Sequence, residues 1–334
     1  MKISFVVVAY NAAASLPSLF KDLLHQDYPH NLVEVLLVDS GSGDNTKAVM
    51  EDFARTSGFT VRILDNPKRW LAPGCNVALS VATGEAVIRL DAHAHIPPDF
   101  LSSSVAALAG RDIVGGAVLS TAPSNWREAV FRALDTSRFC GGAASFRNTG
   151  RAREVKSLAY ELCRTSVYVK VGPYDERLQR TEDNDMHYRM RRAGFHLYFD
   201  PTIISWHTAR KSLSGQLSQK WGNGVWIGRT LYIQPGCFEI HHLIPMLFTL
   251  VFVFLLFFAL YRPLPLVCLC LFYLLFDLIF AAEAAKESPV GKIPVFLFTP
   301  FLFPLVHFTY GFGTIFGLMT PVGGSPHAMD SGPD

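Results

Sequence analysis

Charge is scarce in this 334-residue chain: Asp, Glu, Lys and Arg make up 17% of it, and 30 basic residues against 28 acidic ones leave a formal net charge of +2. With no basic excess and no RNA- or DNA-reading signature, no nucleic-acid partner is expected. Paired cysteines are lacking too. None of the six (Cys75, Cys140, Cys163, Cys237, Cys268, Cys270) forms a CxxC, which predicts free thiols in a reducing compartment. No GxGxxG follows the first predicted strand, which excludes a dinucleotide-binding dehydrogenase, and no GxxxxGK[ST] occurs, which excludes a P-loop NTPase. No signal-peptide pattern precedes that strand, so the N-terminal half is expected to stay in the cytosol.

What the chain has in excess is apolar sequence, and unevenly. Half of it is hydrophobic and the mean hydropathy is +0.24. Residues 1–242 read as an ordinary soluble sequence; 243–318 are nearly all apolar. The expected organisation is a soluble domain over 1–210, an amphipathic interfacial helix and linker over 211–242, about three transmembrane helices within 243–320, and a disordered tail over 321–334. The predicted spans are Leu243–Tyr261, Leu264–Ala282 and the proline-interrupted Ile293–Leu318, with Asp277 inside the second. Lys286 and Lys292 in the loop 283–292 outweigh the single Arg262 of the first loop, which places 283–292 in the cytosol.

The soluble half alternates strand and helix. Ile3 to Ala9 is an unbroken β-branched and aromatic run, read as a buried parallel strand ending at Tyr10-Asn11. Leu16, Leu19, Phe20, Leu23 and Leu24 lie on one helical face. Strands are predicted at Val33–Val38, Val61–Leu64 and Ala86–Leu90, with helices to about Ser57 and over Ala72–Ala82. Alternation of this kind predicts an α/β fold with a doubly wound, mostly parallel sheet. Each polar cluster follows a strand, and so falls on the edge where such sheets bind ligands.

The last of these clusters is the sharpest. The run Ala86–Leu90 ends abruptly in Asp91-Ala92-His93-Ala94-His95, and Pro97-Pro98 forbids continuation. A carboxylate and an imidazole two residues apart suit a shared divalent cation; a turn with solvated histidines is the competing reading. Glu182 and Asp183 open a helix closed by Gly194, where acids also simply favour the helix dipole. Asp185 stands at i, i+4 spacing from Arg189.

Five motifs occur in order: Val8-Ala9-Tyr10-Asn11, Val38-Asp39 through Thr46, Pro73-Gly74-Cys75-Asn76, Asp91-Ala92-His93 and Thr181-Glu182-Asp183. Over residues 1–235 the sequence resembles the family-2 glycosyltransferases of GT-A fold. The Asp-Ala-His form and Gly172–Leu178 are most similar to the succinoglycan-biosynthesis ExoA-type branch. The resemblance implies that Asp39 accepts from the uracil N–H of a UDP-sugar, with Tyr10 flanking the base and Asn11, Asn76 and Arg180 in the same nucleotide-sugar site. Asp44 reads as a turn residue only. Asp91 matches the first acid of the family's DxD, and His93 stands where the second acid would be. Asp91 and His93 are therefore the expected metal ligands, and imidazole nitrogen favours Mn²⁺ over Mg²⁺. Asp183, with Glu182 beside it, takes the place of the general base in an inverting displacement. Lys220-Trp221 match in type the family's site for diphosphate and acceptor, while Leu217 departs from it.

The expected protein is thus a multi-pass inner (plasma) membrane glycosyltransferase with a cytoplasmic catalytic domain. It moves a hexose from a UDP-sugar to a hydroxyl of a lipid-linked, polyprenyl-diphosphate saccharide in exopolysaccharide or cell-surface glycan synthesis. Membrane lipid is a partner; a basic run from Arg147 to Lys156 could also attract lipid phosphate. Two alternatives remain: a polyprenyl-phosphate sugar synthase, which needs no base, and a non-catalytic membrane scaffold.

Overall fold

The computed structural model describes residues 1–140 and 150–322. Residues 141–149, including Arg147 of the basic run, and 323–334, most of the expected tail, lie outside the described residues. The chain divides into two compact units, Met1–Leu119 with Ala144–Thr208, and Ser120–Ala143 with Ala209–Asp334.

In the first unit, β1 (Ile3–Ala9), β2 (Val33–Asp39), β3 (Thr60–Asp65) and β4 (Ala86–Asp91) form a parallel block in the order β3-β2-β1-β4. Register fixes what this block presents. Ala9 pairs with Asp39, Val8 with Asp91, and Asp39 with Asp65, so the carboxyl ends of the strands bring their acids to one edge. Side chains alternate along β1. Phe5 and Val7 enter a core with Leu16, Leu19, Phe20 and Leu23 of α1 (Leu16–Leu24) and with Met50 and Phe53 of α2 (Thr46–Thr56). Val6 enters the opposite core, with Ala72, Cys75 and Ala78 of α3 (Leu71–Leu79).

Beyond β4 the sheet continues with antiparallel pairs, so the expected doubly wound parallel block is one part of a mixed sheet. The further strands are β5 (Ala94–His95), β6 (Ile113–Ser120), β7 (Arg153–Val155), β8 (Leu162–Arg164) and β9 (Leu197–His207). β8 runs antiparallel to both β4 and β6, and β5 and β7 both run antiparallel to β9. Two successive strand pairs, β4–β5 and β7–β8, follow each other with no helix between them, so the strand–helix alternation that makes parallel pairs is broken there. The intervening helices of this unit are α4 (Phe100–Ala107), α6 (Thr165–Val171) and α7 (Glu182–Arg192). Met186 and Met190 bury the inner face of α7, and Gly194, at φ +91°, closes it.

The second unit is helical. It comprises α5 (Trp126–Thr136), α8 (Leu213–Thr230), α9 (Ile244–Phe258), α10 (Leu264–Glu287) and α11 (Lys292–Met319). Helix α5 lies here rather than with the sheet. Its Ala129, Val130 and Ala133 pack with Ala285 and Val295, and its Leu134 packs with Ala281, Phe303 and Val306. The region expected as one continuous 1–210 domain is therefore interrupted by a segment whose apolar face needs the C-terminal helices. Helices α10 and α11 are long and apolar enough to cross a membrane; α9, at 15 residues, is not among them. At ~1.5 Å per residue it reaches about 22 Å, short of a ~30 Å hydrocarbon core. Two candidate spans thus stand where three were expected. Pro300 and Pro304 sit inside α11, which continues through both. Helix α8 packs on α11: Gly224 and Gly228 meet the α11 backbone, and Gly313 and Gly317 meet that of α8. Trp226 is accordingly buried, whereas Trp221 and Tyr232 stay exposed.

Candidate active site

The loop after β2 is built by side chains that replace backbone partners. Asp39 is buried, and its Oδ1 accepts from the Ser42 N–H at 3.2 Å, an Asx-type turn. Asn11, at φ +48°, ties the β1 loop to it: its N–H donates to Ser42 Oγ at 3.0 Å and its Oδ1 accepts from the Gly43 N–H at 2.8 Å. Asn11 therefore holds a loop shape, a role it fills without any ligand. Asp44 accepts from the Ala13 and Thr46 N–H groups, as its reading as a turn residue requires. Tyr10 is exposed beside this loop, with the Arg69 guanidinium 4.5 Å from its ring centroid. Asn76 uses both ends of its amide on the stretch after α6. Its Oδ1 accepts from the Tyr174 N–H at 2.8 Å, and its Nδ2 donates to the Tyr174 carbonyl and to Glu176.

The chemical centre is a cluster of acids around one buried cation. Arg89, on β4, donates from Nη1 to Asp91 Oδ1 at 3.0 Å and from Nη2 to Asp183 Oδ2 at 2.9 Å. Tyr160, strained at φ +55°, donates its hydroxyl to Asp91 Oδ2 at 2.9 Å. Burial alone would raise Asp91; Arg89, His93 and the Tyr160 hydroxyl outweigh it and hold the carboxyl below the usual range. Asp183 goes the other way. Burial raises it, Arg89 opposes, and the charges of Glu161 and Asp91 leave it above the ordinary aspartate range. Glu182 points inward, almost wholly buried, and burial plus the neighbouring Asp183 push it up to about 8. Below these groups His187 Nε2 faces Glu161 Oε1 at 3.4 Å, both buried.

Sequence reasoning placed Asp91 and Asp183 correctly at the ends of their elements but missed Arg89, which joins them. The available signal was a lone arginine within the apolar run Ala86–Leu90, a residue that is buried only when paired. Asp185 is occupied elsewhere, accepting from Arg189 Nε at 2.8 Å, the i, i+4 pair expected. Arg180 is exposed. His95, half-buried on β5, has its Nδ1 3.3 Å from Asp22 Oδ2. Lys220 and Trp221 belong to the helical unit. There Lys220 is buried with Nζ 3.5 Å from the Cys140 carbonyl, and the exposed Trp221 ring lies 5.6 Å from Phe316.

No group of three or more His, Cys, Asp or Glu suited to a metal occurs among the described residues. Asp91 and the exposed His93 offer two ligands. Each Asp91 oxygen accepts one hydrogen bond and retains a second lone pair. Two protein ligands fit a cation whose remaining positions are filled by a diphosphate and water.

Residues 4–165 match the family model "Glycosyl transferase family 2". The succinoglycan biosynthesis protein ExoA of Rhizobium meliloti is 28% identical over 211 residues, 62% of this chain. That match spans 63% of ExoA, less than two thirds of its length. A Methanococcus voltae protein aligns over 330 residues at 24% identity, covering 95% of this chain and 97% of its own. Its name is dolichyl N-acetyl-α-D-glucosaminyl phosphate 3-β-D-2,3-diacetamido-2,3-dideoxy-β-D-glucuronosyltransferase. Among solved structures, the mannosyltransferase PcManGT of Pyrobaculum calidifontis, in complex with GDP-Man and Mn²⁺, superposes with a TM-score of 0.59 at 16% identity. It covers 96% of this chain and 87% of its own. With the sheet, the acid edge and the family match in agreement, the chain carries a glycosyl transferase family 2 domain on a GT-A fold.

Proposed function

We propose that the protein is a membrane-anchored, inverting glycosyltransferase that moves a sugar from a UDP-sugar to a hydroxyl of a lipid-linked saccharide. The observation that carries the reading is the pairing of Asp91 and Asp183 through one guanidinium, which sets a donor-side carboxylate beside a candidate base. Asp39 and Tyr10 supply the nucleotide side: a buried carboxylate for the base edge and an exposed ring for its face. Asp91 and His93 would hold a divalent cation, which supplies charge neutralisation for a leaving diphosphate. Asp183 takes the acceptor's proton, and its raised pKa makes it a stronger base than an ordinary aspartate. One base opposite the leaving group gives inversion. A lipid-linked acceptor is supported by α10 and α11 and by the dolichyl phosphate sugar in the name of the Methanococcus voltae relative. The base position disfavours a phosphate nucleophile, which needs no base, and intact Asp39, Asp91 and Asp183 disfavour a scaffold.

Mass spectrometry of lipid products formed from a panel of UDP-sugars, with polyprenyl-diphosphate saccharide and with polyprenyl phosphate as rival acceptors, tests this. Extension of the saccharide is expected; sugar found only on polyprenyl phosphate would replace the reading with the synthase. Activity with Mn²⁺ is expected to exceed that with Mg²⁺, and His93→Asp should shift the preference toward Mg²⁺. A wild type that prefers Mg²⁺, with no change on substitution, removes His93 from the site.

A further inference from the structure

We propose that Arg89 is the positioning residue of this site: one guanidinium anchored in a buried strand grips Asp91 with Nη1 and Asp183 with Nη2, and so aims the base at the acceptor. The inference rests on the reading of Asp183 as the base. Arg89 pairs in register with Val6 of β1, and its side chain is only 12% exposed, so its stem has little freedom. The guanidinium is planar and its donors form a rigid fork. Two carboxylates on one fork are therefore fixed relative to each other, although one ends a strand and the other starts a helix. One Asp183 oxygen, Oδ2, is taken by Arg89; Oδ1 is the atom left to receive the acceptor's proton.

The same arrangement sets charge. Asp183 faces Arg89 and Asp91 from β4, Cys75 from α3, Tyr160 and Glu161 from the segment before β8, Tyr174 from the stretch after α6, and Glu182 and His187 from α7. Three of those eight neighbours are carboxyl groups, and burial keeps the two tyrosines and the cysteine neutral. Without Arg89, only His187 opposes them, and Asp183 would take up a proton at higher pH. Geometry and charge can be separated, because lysine keeps the charge and loses the fork, while methionine loses both.

The experiment compares pH–rate profiles of wild type, Arg89→Lys and Arg89→Met, with melting temperature measured alongside. It adds a carboxyl ¹³C NMR titration of Asp183 in the substrate-free protein, which needs no turnover. Arg89→Met is expected to move the acid limb of kcat/KM, and the NMR titration, upward by about one pH unit or more. Arg89→Lys should leave the limb in place and lower kcat roughly 10- to 100-fold with donor KM little changed. An unmoved limb and titration in folded Arg89→Met overturns the proposal. Should Arg89→Met not fold, wild-type kcat in Arg89→Lys overturns it instead. Asp183→Asn separates the two levels. Full turnover in that variant overturns the base reading and this proposal together; lost turnover with an unmoved Arg89→Met profile overturns this one alone.

Discussion

Asp183→Asn keeps the shape of the side chain and one acceptor oxygen but cannot take a proton at neutral pH. Asparagine also caps helices about as well as aspartate, so the start of α7 should survive. Turnover on a lipid-linked acceptor is expected to fall by roughly 10²–10⁴, with melting temperature and UDP affinity nearly unchanged; near-normal turnover would return the base to another acid. Glu182 makes a separate forecast. Its folded pKa, about 8, lies above the ordinary glutamate range. Stability from this group is fully present below the ordinary value and is lost as pH rises toward 8. Glu182→Gln should therefore melt higher than wild type at pH above 8, with the gap closing near pH 5; parallel melting curves across that range would mean Glu182 is not held neutral. Of the site, what could be read in advance were acids at predicted element ends, since periodicity and punctuation locate those ends. Arg89 could not be assigned a role, because one of its two partners, Asp183, lies 94 residues away and meets it only in the fold.

At the scale of elements, the parallel half was legible almost to the residue, because buried parallel strands read as continuous apolar runs. β1 spans Ile3–Ala9 as expected, and β2 and β4 each extend one residue further, to Asp39 and Asp91. The antiparallel half was not. β7 and β8 are three residues each, and β6 contains Gly115-Gly116, which reads as a turn. In the fold Gly116 serves the sheet, since a Cβ there would lie 1.9 Å from the Ile203 carbonyl oxygen. The glycines of α8 and α11 were equally silent: without a partner helix, a glycine in an apolar run shows only its cost. A Cβ on Gly317 would lie 2.1 Å from the Val225 carbonyl oxygen. Gly317→Val should thus destabilise the helical unit by about 1–3 kcal/mol, seen as a lower melting temperature in detergent; an unchanged melt would show that α8 and α11 do not cross so closely.

For the whole molecule, the interruption of one unit by part of the other matters most. A chain ending at Thr208 keeps α5 and loses Ala281, Ala285, Val295 and Phe303, which cover it. It is expected to aggregate, whereas joining Leu119 directly to Ala144 removes α5 and should give a soluble monomer by size-exclusion chromatography. A monodisperse 1–208 chain would show that α5 does not need its cover. The same interleaving bears on the order of synthesis. Leu134 leaves the ribosome long before Phe303, and at ~5–20 residues per second the wait is on the order of ten to thirty seconds. During that interval the nascent chain carries a helix whose apolar face is uncovered. Early capture of the growing chain at the membrane, or by a chaperone, would shield α5 until its partners emerge.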